Sequence, residues 1–262
     1  MKKKLFKIKR VLQEIILLKN NYYNWDGILK RAIGGKKTNV LNHRTGINFY
    51  KADKNTLSII KEIFINKVYT KNSIRIEEGD VVFDIGANVG VFSLYASLVK
   101  GTKIFSFEPH PENFKKLRNN ILNNKIKNIE YLNYALGIDN EDRFMIEGSI
   151  PGGHKVSNNN STTVDIGGGI RVQAVKLESI MDKLKVDKIN FLKLDCEGAE
   201  GEIIKSLGVT GLKKIDKIAV EFHNNHSILN HSEIENILNA SGFTTTISWN
   251  GESYFGYIYG IR

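Results

Sequence analysis

Asp84, Glu108, Asp195, Glu197, Glu221 and His223 each stand at or just beyond the end of a short apolar run. Asp84 opens DIGANVG (84–90), in which Gly86 and Gly90 permit a tight bend and close backbone approach. The helical pattern that follows would present free N–H groups toward whatever lies over the turn. Such a turn suits a small ligand with carboxylate, amine or phosphate groups. Glu108 is followed by Pro109, which stops the strand so that the carboxylate leaves its end and can accept hydrogen bonds from both hydroxyls of a ribose. Asp195 and Glu197 are two apart at one strand end, as are Glu221 and His223 at the next. Together they form a polar cluster suited to orienting a hydroxyl and taking its proton.

These residues need a frame that brings strand ends to one edge, and the hydrophobic pattern provides it. Apolar runs at 81–83, 103–109, 129–137, 189–195 and 216–223 alternate with helical periodicity at 111–124, 176–185 and 199–207. That alternation predicts a parallel sheet with right-handed crossovers, whose C-terminal strand ends share one ligand-binding edge. A further helix at about 231–241 stops at Gly242, and 243–249 and 254–261 read as two strands joined at Asn250 and Gly251. The alternation breaks between Arg143 and Val175, where Gly, Asn, Ser and Thr dominate, as in a functional lid or mobile loop. His154, Asn158 to Asn160, Ser161 and Thr162 are suited to hydrogen-bonding a polyhydroxylated substrate, although a solvated loop has the same composition.

The 262 residues carry a formal charge of +10, unevenly distributed. Residues 1–72 hold 17 Lys and Arg against 4 acids, so the basic character belongs to an N-terminal extension and the remainder is slightly acidic. The expected organisation is a basic helical extension over 1–72 and a catalytic domain over 73–262, with 143–175 as an insertion. Within 1–20, Leu5, Ile8, Leu12, Ile15 and Ile16 recur at helical spacing among lysines. The stripe suits packing on this domain or a second subunit, or a peripheral position at an anionic inner-membrane surface. Nothing approaches a membrane span. Cys196 is the only cysteine, which excludes an intramolecular disulfide and favours a reducing, cytoplasmic setting.

DIGANVG at 84–90, FEPHP at 107–111, LRNNILNN at 117–124, NYALG at 133–137 and FLKLDCEGAE at 191–200 together resemble the FkbM-type family of S-adenosylmethionine-dependent methyltransferases. EIF at 62–64 and Tyr69 resemble the family's lead-in, and the likeness extends over about 60–245. The resemblance implies a Rossmann-like α/β fold: a seven-stranded, mostly parallel sheet with an antiparallel last strand and helices on both faces. It also implies S-adenosylmethionine as cofactor. Asp84, Gly86, Ala87, Asn88 and Gly90 would surround its methionine portion, Glu108 with Pro109 its ribose, and Tyr134, Ala135 and Leu136 its adenine. Asp195 would lie beside its amino group and transferred methyl. Cys196 and His110 depart from the usual pattern without disturbing the assignment.

Methyl transfer is an in-line displacement, so an oxygen nucleophile must be held opposite the sulfur and deprotonated. His223 and Glu197 are the candidates for base or orienting group, with Asp195 mainly structural and cofactor-binding. Plainer roles are also open: Glu197 as a helix cap, Glu221 paired with a buried lysine, His223 as a satisfied strand-end histidine. The acids are plausible divalent-ion ligands, but no closed ligand set is visible and no metal is assigned. The expected reaction is O-methylation of a sugar, glycan or small metabolite. A nucleic-acid methyltransferase is disfavoured, because DCEG stands where base-methylating enzymes commonly carry Asn or Asp, two prolines and an aromatic. A membrane-surface or complex-forming protein with a cofactor-binding domain is the reading from another class.

Overall fold

The computed structural model describes residues 2–32, 40–146, 155–157 and 169–262. In chain order the elements begin with α1 (Lys2–Asn21), α2 (Trp25–Ala32), the hairpin strands β1 (Val40–Asn42) and β2 (Asn48–Tyr50), and α3 (Lys54–Ile60), which continues into a π-helical turn, Lys61–Ile65. Next come β3 (Val81–Ile85), α4 (Val91–Ala96), β4 (Lys103–Phe107), α5 (Pro111–Asn123), β5 (Ile129–Leu132), β6 (Ala135–Gly137), β7 (Asp142–Ile146), β8 (Lys155–Ser157) and β9 (Ile170–Lys176). The chain closes with α6 (Leu177–Leu184), β10 (Ile189–Leu194), α7 (Glu200–Leu212), β11 (Ile215–His223), α8 (His231–Ala240), β12 (Thr244–Ser248) and β13 (Phe255–Ile261).

Seven strands form the main sheet in the order β12-β13-β11-β10-β3-β4-β5. β11, β10, β3, β4 and β5 are mutually parallel, whereas β13 runs antiparallel to both β11 and β12. The fold is therefore the expected Rossmann-like α/β arrangement. The chain order reverses between β10 and β3, which places the carboxyl ends of the two central strands beside a crevice. Apolar residues on both sheet faces are covered: Phe83, Phe105, Leu192 and Ile218 belong to one core cluster and Val82, Ile104, Phe191 and Ala219 to the other.

Two local expectations change. The apolar run 129–137 is interrupted after Leu132, and its second half leaves the main sheet as β6. β6 pairs in parallel with β9, and β9 continues antiparallel to β7, so the segment read as an irregular insertion contributes a second sheet, β6-β9-β7-β8. The Arg143 guanidinium fastens this sheet to α7 through Glu202 Oε2 at 2.8 Å and also reaches Asp139 Oδ2 at 3.1 Å. Arg143 and Glu202 are both buried. His154, Asn158 to Asn160, Ser161 and Thr162 lie outside the described residues.

The stretch 1–72 is not helical throughout. The β1–β2 hairpin interrupts it, and Leu41, Phe49, Ile60 and Ile63 join the same apolar cluster as Val82 and Leu94. The asparagines of α5 explain how the hairpin docks. Asn120 Oδ1 accepts from the Tyr50 amide at 2.9 Å, and Asn124 exchanges two 2.7 Å bonds with the Asn48 backbone, so the helix takes the place of a neighbouring strand along β2. α1 is held near its C-terminal end by Leu18 and by Glu14, which pairs with Lys61 at 2.7 Å; Val11, Leu12 and Ile16 are exposed. Among the described residues no helix is long and apolar enough to cross a membrane.

Candidate active site

Asp84 is the last polar group that β3 places before the glycine turn, and it is completely buried. Its register partners are Lys193 on β10 and Ser106 on β4. Asp84 Oδ1 receives Lys193 Nζ at 3.0 Å, and Oδ2 receives the Ser93 hydroxyl from α4. Lys193 also donates to the Gly86 carbonyl at 2.9 Å and lies 3.6 Å from Asp195 Oδ2. Burial alone would lower the Lys193 pKa, but the charges of Asp84 and Asp195 hold it above the ordinary lysine value. Asp84 thus anchors the turn from behind, without lining the cleft above it.

The turn is shaped by inward hydrogen bonds. The amides of Gly86 and Ala87 donate to the Phe107 carbonyl, the Asn88 amide donates to Glu108 Oε2 at 2.8 Å, and the Gly90 amide donates to the Ala87 carbonyl. These four loop amides are therefore spent on building the turn, separately from the N–H groups of the first turn of α4. Gly86 has φ +77°, and Gly90, with φ +87°, sits against Leu117 on α5. What the turn offers a ligand is close backbone approach at Gly86, Ala87 and Asn88, which do line the cleft.

Glu108 is buried at the end of β4, and the amide of His110 donates to its Oε1 at 2.9 Å. Desolvation raises its pKa to about 7, with the His110 and Asn88 amides opposing the shift. Glu108 and Pro109 line a solvent-open cleft of about 600 Å³ whose opposite wall includes Tyr134, Leu136 and Met145. Asn133 joins the walls by donating to the carbonyls of Glu108 at 2.7 Å and Pro109 at 3.0 Å. β6 supplies Ala135 and Leu136, and the second sheet supplies Met145, so the rearranged chain after Leu132 is what closes this side.

A second recess, toward α3, shares Gly86, Asn88, Asp195 and Glu197 with the first. Glu62, Tyr69 and Glu221 complete its polar wall, and Glu62 projects from the π-helical turn. The Tyr69 hydroxyl stands 2.7 Å from Asp195 Oδ2 and 2.7 Å from Glu221 Oε2. One phenol proton serves two carboxylates; Glu221 is pushed up to about 8, first by burial and then by the charge of Asp195, with the Tyr69 hydrogen bond opposing the shift. Glu221 therefore holds a proton near neutrality.

His223 is buried at the end of β11, its Nδ1 3.3 Å from Glu200 Oε1. Glu200 is fully buried and also receives the amides of Cys196 at 2.7 Å and Gly198 at 3.0 Å, so Glu200, not Glu197, closes the turn ahead of α7. Burial alone would lower the His223 pKa. The hydrogen bond and charge of Glu200, reinforced by Asp195 and Glu197, overcome that and raise it to about 9. Glu197 Oε2 lies 3.6 Å from His223 Nε2. Burial and the nearby Glu200 raise the Cys196 pKa well above the usual thiol value, which leaves the thiol protonated and a poor nucleophile.

The structure thus brings Gly86, Ala87, Asn88, Glu108, Pro109, Tyr134, Ala135, Leu136, Asp195 and Glu197 to one continuous cleft and sets His223 at its edge, while Asp84 and Gly90 stand behind it. Sequence reasoning did not assign Lys193, Tyr69, Glu200, Glu62 or Met145. Lys193 was detectable as the one charge inside the apolar run INFLKL. Tyr69 and Met145 reach the site only through long-range packing.

Comparison with known proteins gives the family of the chain. The Methyltransferase FkbM domain family matches residues 84–245. The chain is 25% identical to the 31-O-demethyl-FK506 methyltransferase FkbM of Streptomyces tacrolimicus, over 71% of this chain and 81% of that protein. It is 29% identical to the hexuronic acid methyltransferase AglP of Haloferax volcanii, over 56% of this chain and 57% of that protein. Among solved structures, methyltransferase FkbM from Methylobacillus flagellatus shares the fold, with a TM-score of 0.52 and 18% identity over 80% of this chain and 55% of that one. With the family match spanning both the glycine turn and the Asp195–Glu200 segment, the chain belongs to the FkbM methyltransferase domain family.

Proposed function

We propose that the protein is an S-adenosylmethionine-dependent O-methyltransferase acting on a hydroxyl of a sugar, glycan or other small metabolite. The observation that carries this reading is the shared lining of the two recesses: one ends at Glu108, the other at Tyr69 and Glu221, and Gly86, Asn88, Asp195 and Glu197 line both, with His223 beside Glu197. The residues fit the cofactor. Glu108 has one backbone donor on each oxygen and so keeps acceptor capacity on both for a ribose diol. Gly86 brings backbone against the cleft where a side chain has no room.

When bound, S-adenosylmethionine supplies a methyl group on a cationic sulfur and leaves as a neutral thioether. The chain's own groups do the rest. Asp195 and the surrounding carboxylates favour positive charge at the junction of the two recesses. Glu197 and His223 face the acceptor side, where one orients the hydroxyl and the other takes the proton released as the new O–CH3 bond forms and the S–CH3 bond breaks. Glu200 fixes the His223 ring, and Tyr69 keeps Asp195 and Glu221 together. Two of the relatives are named as a 31-O-demethyl-FK506 methyltransferase and a hexuronic acid methyltransferase, and those names support an oxygen acceptor here.

Calorimetry with S-adenosylmethionine on wild type and Glu108→Ala is the direct test. Binding by wild type with loss in the variant is expected, and undiminished binding in the variant overturns the ribose assignment. Mass spectrometry of hydroxylated acceptors incubated with enzyme and cofactor then identifies the product, a gain of one methyl on oxygen.

A further inference from the structure

At the acceptor side of the cleft, one ligand atom from each of Asp195, Glu197 and His223 lies within 4.8 Å of the other two. We propose that this trio binds a single divalent cation of the Mg2+ or Mn2+ class. The inference rests on the methyl-transfer reading for what the ion does, but not for whether it binds.

The orientation of His223 is the main argument. Its Nδ1 is directed at Glu200, a carboxylate outside the trio whose oxygens are already held by the amides of Cys196 and Gly198. A carboxylate behind an imidazole is the arrangement that fixes the ring and aims its other nitrogen at a metal. Nε2 is thereby turned into the cluster on a residue that is 3% exposed, and among the described residues it makes no hydrogen bond. Its nearest acceptors are Glu197 Oε2 at 3.6 Å and Glu221 Oε1 at 3.9 Å, beyond hydrogen-bonding distance. The separation from Glu197 matches instead that of neighbouring donors around one ion, about 3.0–3.6 Å for bonds of about 2.1 Å.

The surrounding charge points the same way. Glu62 lines the same recess, while Lys193 is committed to Asp84 and the Gly86 carbonyl. Tyr69 and Lys193 both engage Oδ2 of Asp195, so Oδ1 is the atom available as a ligand. Two carboxylates and one imidazole, with no thiolate, select a hard or borderline ion. Three protein ligands leave coordination positions open, and an acceptor hydroxyl in one of them would be both fixed and made more acidic. His223 is then a ligand, and its role as the base falls away.

The test is a titration of Mn2+ alone into the full chain without cofactor, followed by electron paramagnetic resonance, with Mg2+ as competitor. One site per chain is expected, weakened at least about tenfold by Glu197→Gln and by His223→Gln, and about tenfold by Glu200→Gln, which keeps the buried shape but not the charge. Glu197 is partly exposed, so its variant retains the fold even if a buried replacement does not; thermal melting checks each. Absence of a stoichiometric site in wild type, or unchanged affinity in Glu197→Gln, overturns the proposal. Calorimetry with S-adenosylmethionine, run separately, keeps the two readings apart. Cofactor binding without Mn2+ binding removes only the cation site, and Mn2+ binding without cofactor binding removes only the methyl-transfer reading.

Discussion

A methyl group on Gly86 would lie 1.7 Å from the backbone carbonyl oxygen of Asp195. The two segments that define the site, the turn after β3 and the end of β10, are in backbone contact there, and the Asp195 amide donates to the Ile85 carbonyl at 3.2 Å. Gly86→Ala adds this clash to a positive φ that costs a non-glycine residue about 1 kcal/mol or more. Its expected outcome is a melting temperature lower by several degrees and loss of cofactor binding, read by calorimetry and thermal melting.

Lys193 and Asp84 form a buried pair in the middle of the sheet, so removing one partner strands the other. Lys193→Met is expected to cost about 3–5 kcal/mol, and the double variant Lys193→Met, Asp84→Asn to recover part of that loss. Urea denaturation of the three proteins measures it; equal destabilisation by single and double variants would show that the pair does not couple.

Cofactor affinity follows the ionisation of Glu108. Its folded-state pKa is raised to about 7, so the carboxyl is neutral below that pH and becomes a two-oxygen acceptor above it. Affinity for S-adenosylmethionine is expected to rise about tenfold from pH 6 to pH 8. Calorimetry across that range tests the point, and Glu108→Gln should bind weakly with little pH dependence.

His43 governs acid stability away from the site. It is buried between Tyr22 and Phe64, its Nε2 has no hydrogen-bond partner, and burial lowers its pKa to about 4. The unfolded chain takes up the proton first, so the contribution of the neutral ring is intact above about pH 6.5 and is lost as pH falls toward 4. The loss is of order 2 kcal/mol. Melting curves should show wild type losing stability relative to His43→Phe as pH falls through this window, and a constant difference between the two would contradict the assignment.

The sequence by itself determined the alternating β/α frame, the order of the strand ends and the positions of Asp84, Glu108, Asp195 and His223, because apolar periodicity and turn chemistry are local properties of the chain. Tertiary structure decided how those side chains are used. Asp84 looked like a ligand group but is consumed by Lys193 and Ser93, since a carboxylate in a dry sheet must be neutralised where it stands. The turn ahead of α7 is closed by Glu200, which accepts from the Cys196 and Gly198 amides, and this leaves Glu197 to the cleft. β6 leaves the main sheet to pair with β9, where Ala135 stands opposite Ala174, a long-range pairing that no local pattern encodes. Tyr69 and Met145 reach the cleft, and Asn120 and Asn124 reach β2, across comparable or greater separations. The site is assembled from side chains whose types are written locally and whose partners are chosen only when the sheet closes.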